Sequence, residues 1–239
     1  MSTQYDTYTS PLAARNASAE MLRIWSPRHK FNTWRRIWLA VAEAQHEMGL
    51  PVTKEQVEEL RANLEVTDAD MQAAERHERE LRHDVMAHVH AWGDRCPKAN
   101  GIIHLGMTSQ DVVCNADLRI LDQAAWCIAQ KTMRCVSSLA EFATAHVSVP
   151  TLGFTHYQPA QPTTVGRRAA GWSYDLSICA ERLRSLGWQV GVRRLRGATG
   201  TQASFLALFE DDIKKVDRFE WSAVMRIFAD GENNYGDLI

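Results

Sequence analysis

The chain has 239 residues, with 27 Lys and Arg against 29 Asp and Glu and a formal net charge of -2. That balance excludes a general attraction to nucleic acid or anionic membrane, so any anion binding must be local. The length supports a real core, in one large domain or two smaller ones. Five scattered cysteines with no C-x-x-C pair exclude a disulfide framework and a zinc knuckle and point to a reduced, cytosolic setting. Met1 to Ser10 lacks the basic and apolar blocks of a signal peptide, and no apolar run is long enough to span a bilayer, so a soluble intracellular protein is expected.

In chain order, Phe31, Trp34, Ile37, Trp38, Val41 and Met48 recur at helical spacing up to Gly49-Leu50-Pro51, where glycine caps a helix and proline cannot continue it. Thr53 with Gln56 and Thr67 with Asp70 have capping-box spacing, each followed by apolar residues at helical intervals. Pro97 to Gly106 reads as a loop that separates a smaller N-terminal helical region from a long-helix region. From Asp111 to about Val147 there is neither proline nor glycine, which predicts one helix of about 35 residues, roughly 50 Å long. Pro150 to Pro162 reads as a loop rich in His, Gln and Pro, and Val165 to Val190 as a second long helix. Helices of this length cannot bury their apolar stripes in a small globule and usually pack as a shared bundle, so an oligomer is expected. With no convincing period-two strand, the predicted fold is all-α.

Short polar signatures interrupt this helical pattern. His156 sits in the 150–162 loop between Thr155 and Gln158, with prolines restricting the backbone, and rigidly held loops are where catalytic groups concentrate. A plain connecting-loop histidine remains an open alternative. His83 lies in the charged run Glu75 to Asp84, which reads equally as a solvated helix face; there Asp84 with His88, and Arg79 with His83, are four apart and can face each other on a helix. Thr108 and Ser109 open the long helix as a cap, and the same free N–H groups and positive dipole end form an anion site. Gly197 to Thr201 reads as a plain turn or as backbone that cradles an anion, and Arg15 as a solvated tail residue or an anion contact. His83, His88, His90 and Cys96 lie close in sequence but lack the H-E-x-x-H spacing, so no metal site is expected.

The runs Arg82-His83-Asp84-Val85-Met86-Ala87-His88, Gly101 to Ser109, Pro150 to Gln161 and Gly200-Thr201-Gln202-Ala203-Ser204-Phe205, in this order, resemble the N-terminal half of the animal-type adenylosuccinate lyases, in the fumarase/aspartase superfamily. The first run argues against the sister argininosuccinate lyases. The resemblance covers about Ser10 to Val216 and implies an N-terminal helical domain over 1–105, part of a central long-helix bundle over 106–218 and a divergent tail over 219–239. It implies a cytoplasmic homotetramer with sites built from three subunits, and no metal or organic cofactor. The implied activity is β-elimination of fumarate from adenylosuccinate and from the succinyl-carboxamide intermediate of purine synthesis.

By position, His156 matches the general acid to the leaving nitrogen, and His83 the second active-site histidine, near the substrate phosphate. Thr108 and Ser109 match the pair that holds a succinyl carboxylate, and Arg15 an arginine on the nucleotide phosphate. Arg82 and Asp84 flank His83, and Thr155 and Gln158 flank His156, as further substrate-binding positions. Two departures stand out. Asn16 replaces a usual tyrosine, and beyond about Arg218 the family's Thr-Gly-Gln-Thr-Tyr segment and its Met-Pro loop, which carries the catalytic serine base, have no counterpart. The chain alone is therefore expected to be inactive, and a non-catalytic helical scaffold that assembles with a full-length partner is the competing reading.

Overall fold

A computed structural model of the chain describes residues 10–189, 191 and 193–229. The segments 1–9 and 230–239, and with them most of the 219–239 tail's second half, lie outside the described residues. Among the described residues, ten α-helices and one β-hairpin follow in order: α1 (Pro11–Arg15), α2 (Ala19–Ile24), α3 (Pro27–Glu47), α4 (Lys54–Ala62), α5 (Asp68–Leu81), α6 (Asp84–Arg95), α7 (Ser109–Ala145), β1 (Pro150–Thr155), β2 (Gln158–Thr164), α8 (Val165–Gln189), α9 (Ala203–Leu208) and α10 (Ile213–Ala229). The predicted helical class holds. The described residues form two compact units, one of residues 10–121, 191 and 193–229, the other of residues 122–189.

Local sequence explains the helix starts. Ser10, Ser18 and Ser26 each accept a main-chain N–H of the turn that follows, with Pro11 and Pro27 in the first turn of α1 and α3, where the missing N–H costs nothing. Both predicted capping boxes form, Thr53 with Gln56 and Thr67 with Asp70. The charged run Glu75 to Asp84 is not one helix, however. Arg82 takes the left-handed conformation (φ 52°) and ends α5, while His83 is extended and starts α6, so Arg79 and His83 do not share a helical face.

The first unit is built around α3. Trp34 and Trp38 pack edge to face with ring centroids 6.0 Å apart, and Trp92 of α6 lies 6.1 Å from Trp38. Leu60 of α4, Val85 and Val89 of α6, Val112 and Ala116 of α7 and Ile227 of α10 complete this core. A second cluster joins Val41 and Ala44 to Leu195, Phe205, Phe209, Val216, Phe219 and Ala223. Residues 219–229, expected to be part of a divergent tail, thus continue α10 and bury Phe219, Ala223 and Ile227. Arg226 Nη1 also donates to Glu43 of α3 at 3.0 Å.

One buried carboxylate ties four segments of this unit. Asp70, 2% exposed, accepts from the Thr67 N–H at 2.7 Å and hydroxyl at 2.8 Å, and from Arg95 Nη1 at 2.5 Å, with Arg35 Nη2 3.3 Å away. Arg35 also donates to the carbonyls of Asn63 and Glu65, each at 3.0 Å. Burial opposes ionisation of Asp70, but the Thr67 donors and the two guanidinium groups prevail and hold its pKa below the ordinary carboxylate range.

In the second unit the rest of α7 and α8 run antiparallel: Gly166 N–H donates to His146 O at 2.9 Å and Ser173 Oγ to Val136 O at 3.3 Å. Ile128, Phe142, Trp172, Tyr174, Ile178 and Leu186 of these helices are exposed. Between the helices, residues 150–164 form an antiparallel hairpin, with Pro150 opposite Thr164 and Thr155 opposite Gln158. This corrects the reading of 150–162 as a loop. Prolines normally argue against a strand, but in a two-stranded sheet both strands are edges, so Pro159 and Pro162 need no inward N–H. A register shift falls between Leu152 and Phe154, where a side chain on Gly153 would meet the Gln161 carbonyl at 2.8 Å.

Removing the Asp70 carboxylate strands Arg35, whose side chain is 3% exposed. Asp70→Ala is expected to lose on the order of 3–5 kcal/mol in urea unfolding, and a loss under 1 kcal/mol would contradict this account. His88, buried against Phe31 at 3.6 Å between ring centroids, gives a pH dependence. Burial, helped by Arg35 and Lys30 of α3 and opposed by Asp84 and Asp70, lowers its pKa from 6.5 to about 4. The folded protein therefore binds fewer protons than the unfolded chain between these values. Stability is complete above pH 6.5 and falls as pH drops towards 4, with a limiting slope of about 1.4 kcal/mol per pH unit. His104, shifted in the same direction, adds to the slope. In His88→Phe the slope should flatten in denaturant titrations from pH 7 to 4.5.

Candidate active site

The break between α5 and α6 and the start of α7 enclose a polar cleft of about 520 Å³, lined by Glu78, Arg82, His83, Asp84, Val85, Ser109, Gln110 and Val113. Four of the residues singled out in sequence, Arg82, His83, Asp84 and Ser109, are thereby brought together from two separate segments. The left-handed turn at Arg82 is what allows this, because a continued helix would carry His83 along the α5 face.

His83 does two things at once. Its Nδ1 accepts the Met86 N–H at 3.4 Å, capping α6, and its Nε2 lies 3.3 Å from Ser109 Oγ. With Nδ1 as acceptor, the neutral ring carries its proton on Nε2 and donates to the Ser109 hydroxyl. Asp84 Oδ1 stands 3.7 Å from Nδ1, and its stronger contact is with the Val85 N–H at 2.8 Å. Protonation at Nδ1 would thus exchange a helix cap for an ion pair. Thr108 is adjacent to the cleft and donates its N–H to Asp111 Oδ2 at 3.0 Å. The Asp111 N–H bonds the Thr108 carbonyl at 3.0 Å.

The loop before α7 is anchored from α3. Gln45 Nε2 donates to Leu105 O at 2.8 Å, and the Trp38 indole N–H to His104 Nδ1 at 3.0 Å. Burial lowers the His104 pKa, Asp111 opposes the shift and His83 adds to it, so this imidazole is neutral at pH 7 with its proton on Nε2. Gly106 takes φ +77°, and a Cβ there would press on Leu208 at 2.7 Å and Phe205 at 2.9 Å. Sequence reading passed over His104, although it lies inside the Gly101 to Ser109 run.

Thr155, His156 and Gln158 belong to the second unit, where all three are exposed at the hairpin end. His156 and Tyr157 form its two-residue turn with φ +50° and +60°. Such turns favour Asn and Gly, and non-glycine residues held there store about 1–3 kcal/mol each, a cost that clusters at functional sites. Arg15 ends α1 and is exposed, and it does not line the cleft. Among the described residues no three metal-binding side chains are grouped to hold an ion, and no helix is long and apolar enough to cross a membrane.

Residues 13–224 match the model of a lyase family. The adenylosuccinate lyase of Saccharomyces cerevisiae is 46% identical over 217 residues, covering 90% of this chain and 45% of that protein. That of Schistosoma mansoni is 42% identical over 218 residues, covering 91% and 45%. The chain thus spans less than half the length of these relatives. Among solved structures, a 3-carboxy-cis,cis-muconate lactonizing enzyme from Pseudomonas putida has a TM-score of 0.78 at 23% identity, over 91% of this chain and 49% of that one. A fumarate lyase from Mesorhizobium sp. BNC1 has 0.75 at 22%, over 89% and 48%. At these identities the structures speak for the fold alone.

The capping role of His83 separates its structural from its chemical part. His83→Asn keeps a cap acceptor and should unfold within a few tenths of a kcal/mol of the parent, whereas His83→Ala should lose about 1 kcal/mol. Equal stability of the two variants in thermal unfolding would remove the cap assignment.

Proposed function

This chain belongs to the lyase family, and from that premise we propose that it carries the acid and carboxylate-holding parts of a site that eliminates fumarate from adenylosuccinate and from the succinyl-carboxamide nucleotide of purine synthesis. The observation that carries this reading is the cleft itself, which joins the Arg82–Asp84 turn to the Ser109 hydroxyl. An anion at the start of a helix of 37 residues meets unpaired N–H groups and the positive end of the dipole. Thr108 and Ser109 hold a succinyl carboxylate there. Arg82 supplies a cation at the cleft, and His83 orients Ser109 and faces the phosphate end, with Arg15 as a further phosphate contact.

Loss of the Cβ proton leaves a carbanion whose charge spreads into the adjacent carboxylate, where fixed donors stabilise it. Expulsion of the nitrogen needs an acid, and His156 at the strained hairpin turn takes that role, with Thr155 and Gln158 beside it. The base is supplied from outside these motifs, as the resembled family places it on a Met-Pro loop and no Met-Pro pair occurs in this sequence. The exposed apolar residues of α7 and α8 support assembly with further subunits; the homotetramer with shared sites, the cytoplasmic setting and the absence of a cofactor belong to the same proposal through the family resemblance.

The test follows fumarate release from adenylosuccinate by the chain alone, and by the chain mixed with the full-length yeast relative in which the counterpart of His156 is alanine. We expect no turnover alone and turnover in the mixture, falling on the order of 10²–10⁴-fold when this chain carries His156→Ala. A mixture indifferent to His156→Ala would overturn the acid assignment, and turnover by the chain alone would place the base within this sequence.

A further inference from the structure

The Gly197 to Thr201 segment has no part in the chemistry above, yet the structure ties it to the cleft through one side chain. Asp111, in the first turn of α7, is 4% exposed. Its Oδ2 accepts the Thr108 N–H at 3.0 Å, and its Oδ1 accepts the N–H groups of Arg196 at 3.2 Å and Gly197 at 3.3 Å. A helix cap needs only the first of these bonds. The other two come from a segment 85 and 86 residues away in sequence, and they are available because Gly197 sits at φ +69°.

The far side of the same turn is also fixed. Arg196 Nη1 donates to Gln202 Oε1 at 2.8 Å, Gln202 Nε2 to Leu195 O at 3.0 Å, and Arg196 Nη2 lies 3.4 Å from the buried Glu220 carboxylate of α10. The turn is therefore a fixed frame, and Asp111 connects it to the helix start whose Ser109 hydroxyl bonds His83.

We propose that Asp111 is a positioning residue: it sets the Thr108–Ser109 helix start, and through Ser109 the His83 imidazole, against the Arg196–Gly197 turn. This rests on the reading of that helix start as the carboxylate-holding edge of the cleft. A carboxylate so near an anion site would ordinarily repel its ligand. Three main-chain donors engage its oxygens here, so it orders the site with much of its charge compensated.

The test uses the whole chain with succinate as the dicarboxylate probe, ¹⁵N spectra of the His83 ring and exchange of the Gly197 amide. Asp111→Asn keeps the shape but turns an amide NH2, itself a donor, towards donors, and it should weaken succinate binding about tenfold or more, move the His83 ring signals and speed Gly197 exchange. Leu60→Ala, a core deletion in α4, serves as the control for lost stability and should leave succinate affinity and the His83 signals unchanged. Equal effects of both variants, or unchanged His83 signals in Asp111→Asn, would overturn the proposal. If the parent chain binds no succinate, the carboxylate reading fails, and the positioning role is sustained only if His83 and Gly197 still move together. Asp111→Glu, which keeps the charge but shifts it by one methylene, gives the same readouts if the Asn variant does not fold.

Discussion

The Asp70 carboxylate, held by Thr67, Arg95 and Arg35, is the contact on which the cleft rests. A charge taken out of water must be met on all sides by donors, and here the donors come from α3, from the last turn of α6 and from the cap of α5 itself. Of these, α5 and α6 with their caps present Glu78, Arg82, His83 and Asp84. The tryptophan stripe supplies most of the apolar burial, but it is non-directional. The ionic cluster has a definite geometry, and it fixes the start of α5 against the end of α6 and against α3, so that the two helices leading into the junction are held in one arrangement.

A second buried carboxylate, Asp111, has the same logic at the other wall of the cleft, and a third, Glu220, braces the turn behind it. The three differ in how well they are met. Asp70 has four donors around it. Glu220 keeps one oxygen without a partner among the described residues, and burial raises its pKa against the pull of Arg196 and Arg194. Polar groups of this kind give less net stability than apolar side chains would. What they supply is a single register for segments far apart in sequence. The site is thus assembled from local motifs by buried polar contacts that no local pattern announces.

The two units place the chemistry-bearing residues differently. In the first, the candidates stand at helix ends: His83 and Ser109 open α6 and α7, where the positive end of the helix dipole faces outward, the natural place for an anion. In the second, His156 is carried on a two-residue turn at positive φ, a conformation that an L residue adopts only when the strands on either side demand it. Gly153, close against Gln161, bends one of those strands. Backbone strain and a glycine required by close backbone approach thus occur in the same hairpin as the proposed acid.

Sequence by itself determined the helical class, the end of α3, the starts of α4 and α5 through their capping boxes and the span of α7 to within about two residues, and it named four of the residues that line the cleft, because these are set by periodicity, by caps and breakers within a few residues and by motif order. Tertiary structure alone decided the rest. It broke the Glu75 to Asp84 run at Arg82, since a left-handed residue is stabilised by what the following helix buries and not by local propensity. It paired 150–155 with 158–164 despite the prolines, since isolated edge strands tolerate them. It drew 219–229 into the core through Phe219, Ala223 and Ile227, and gave His104 and Asp111 their partners. In each case the deciding contact lies dozens of residues or more away or depends on the backbone of a neighbouring strand, where no short-range pattern in the sequence reaches.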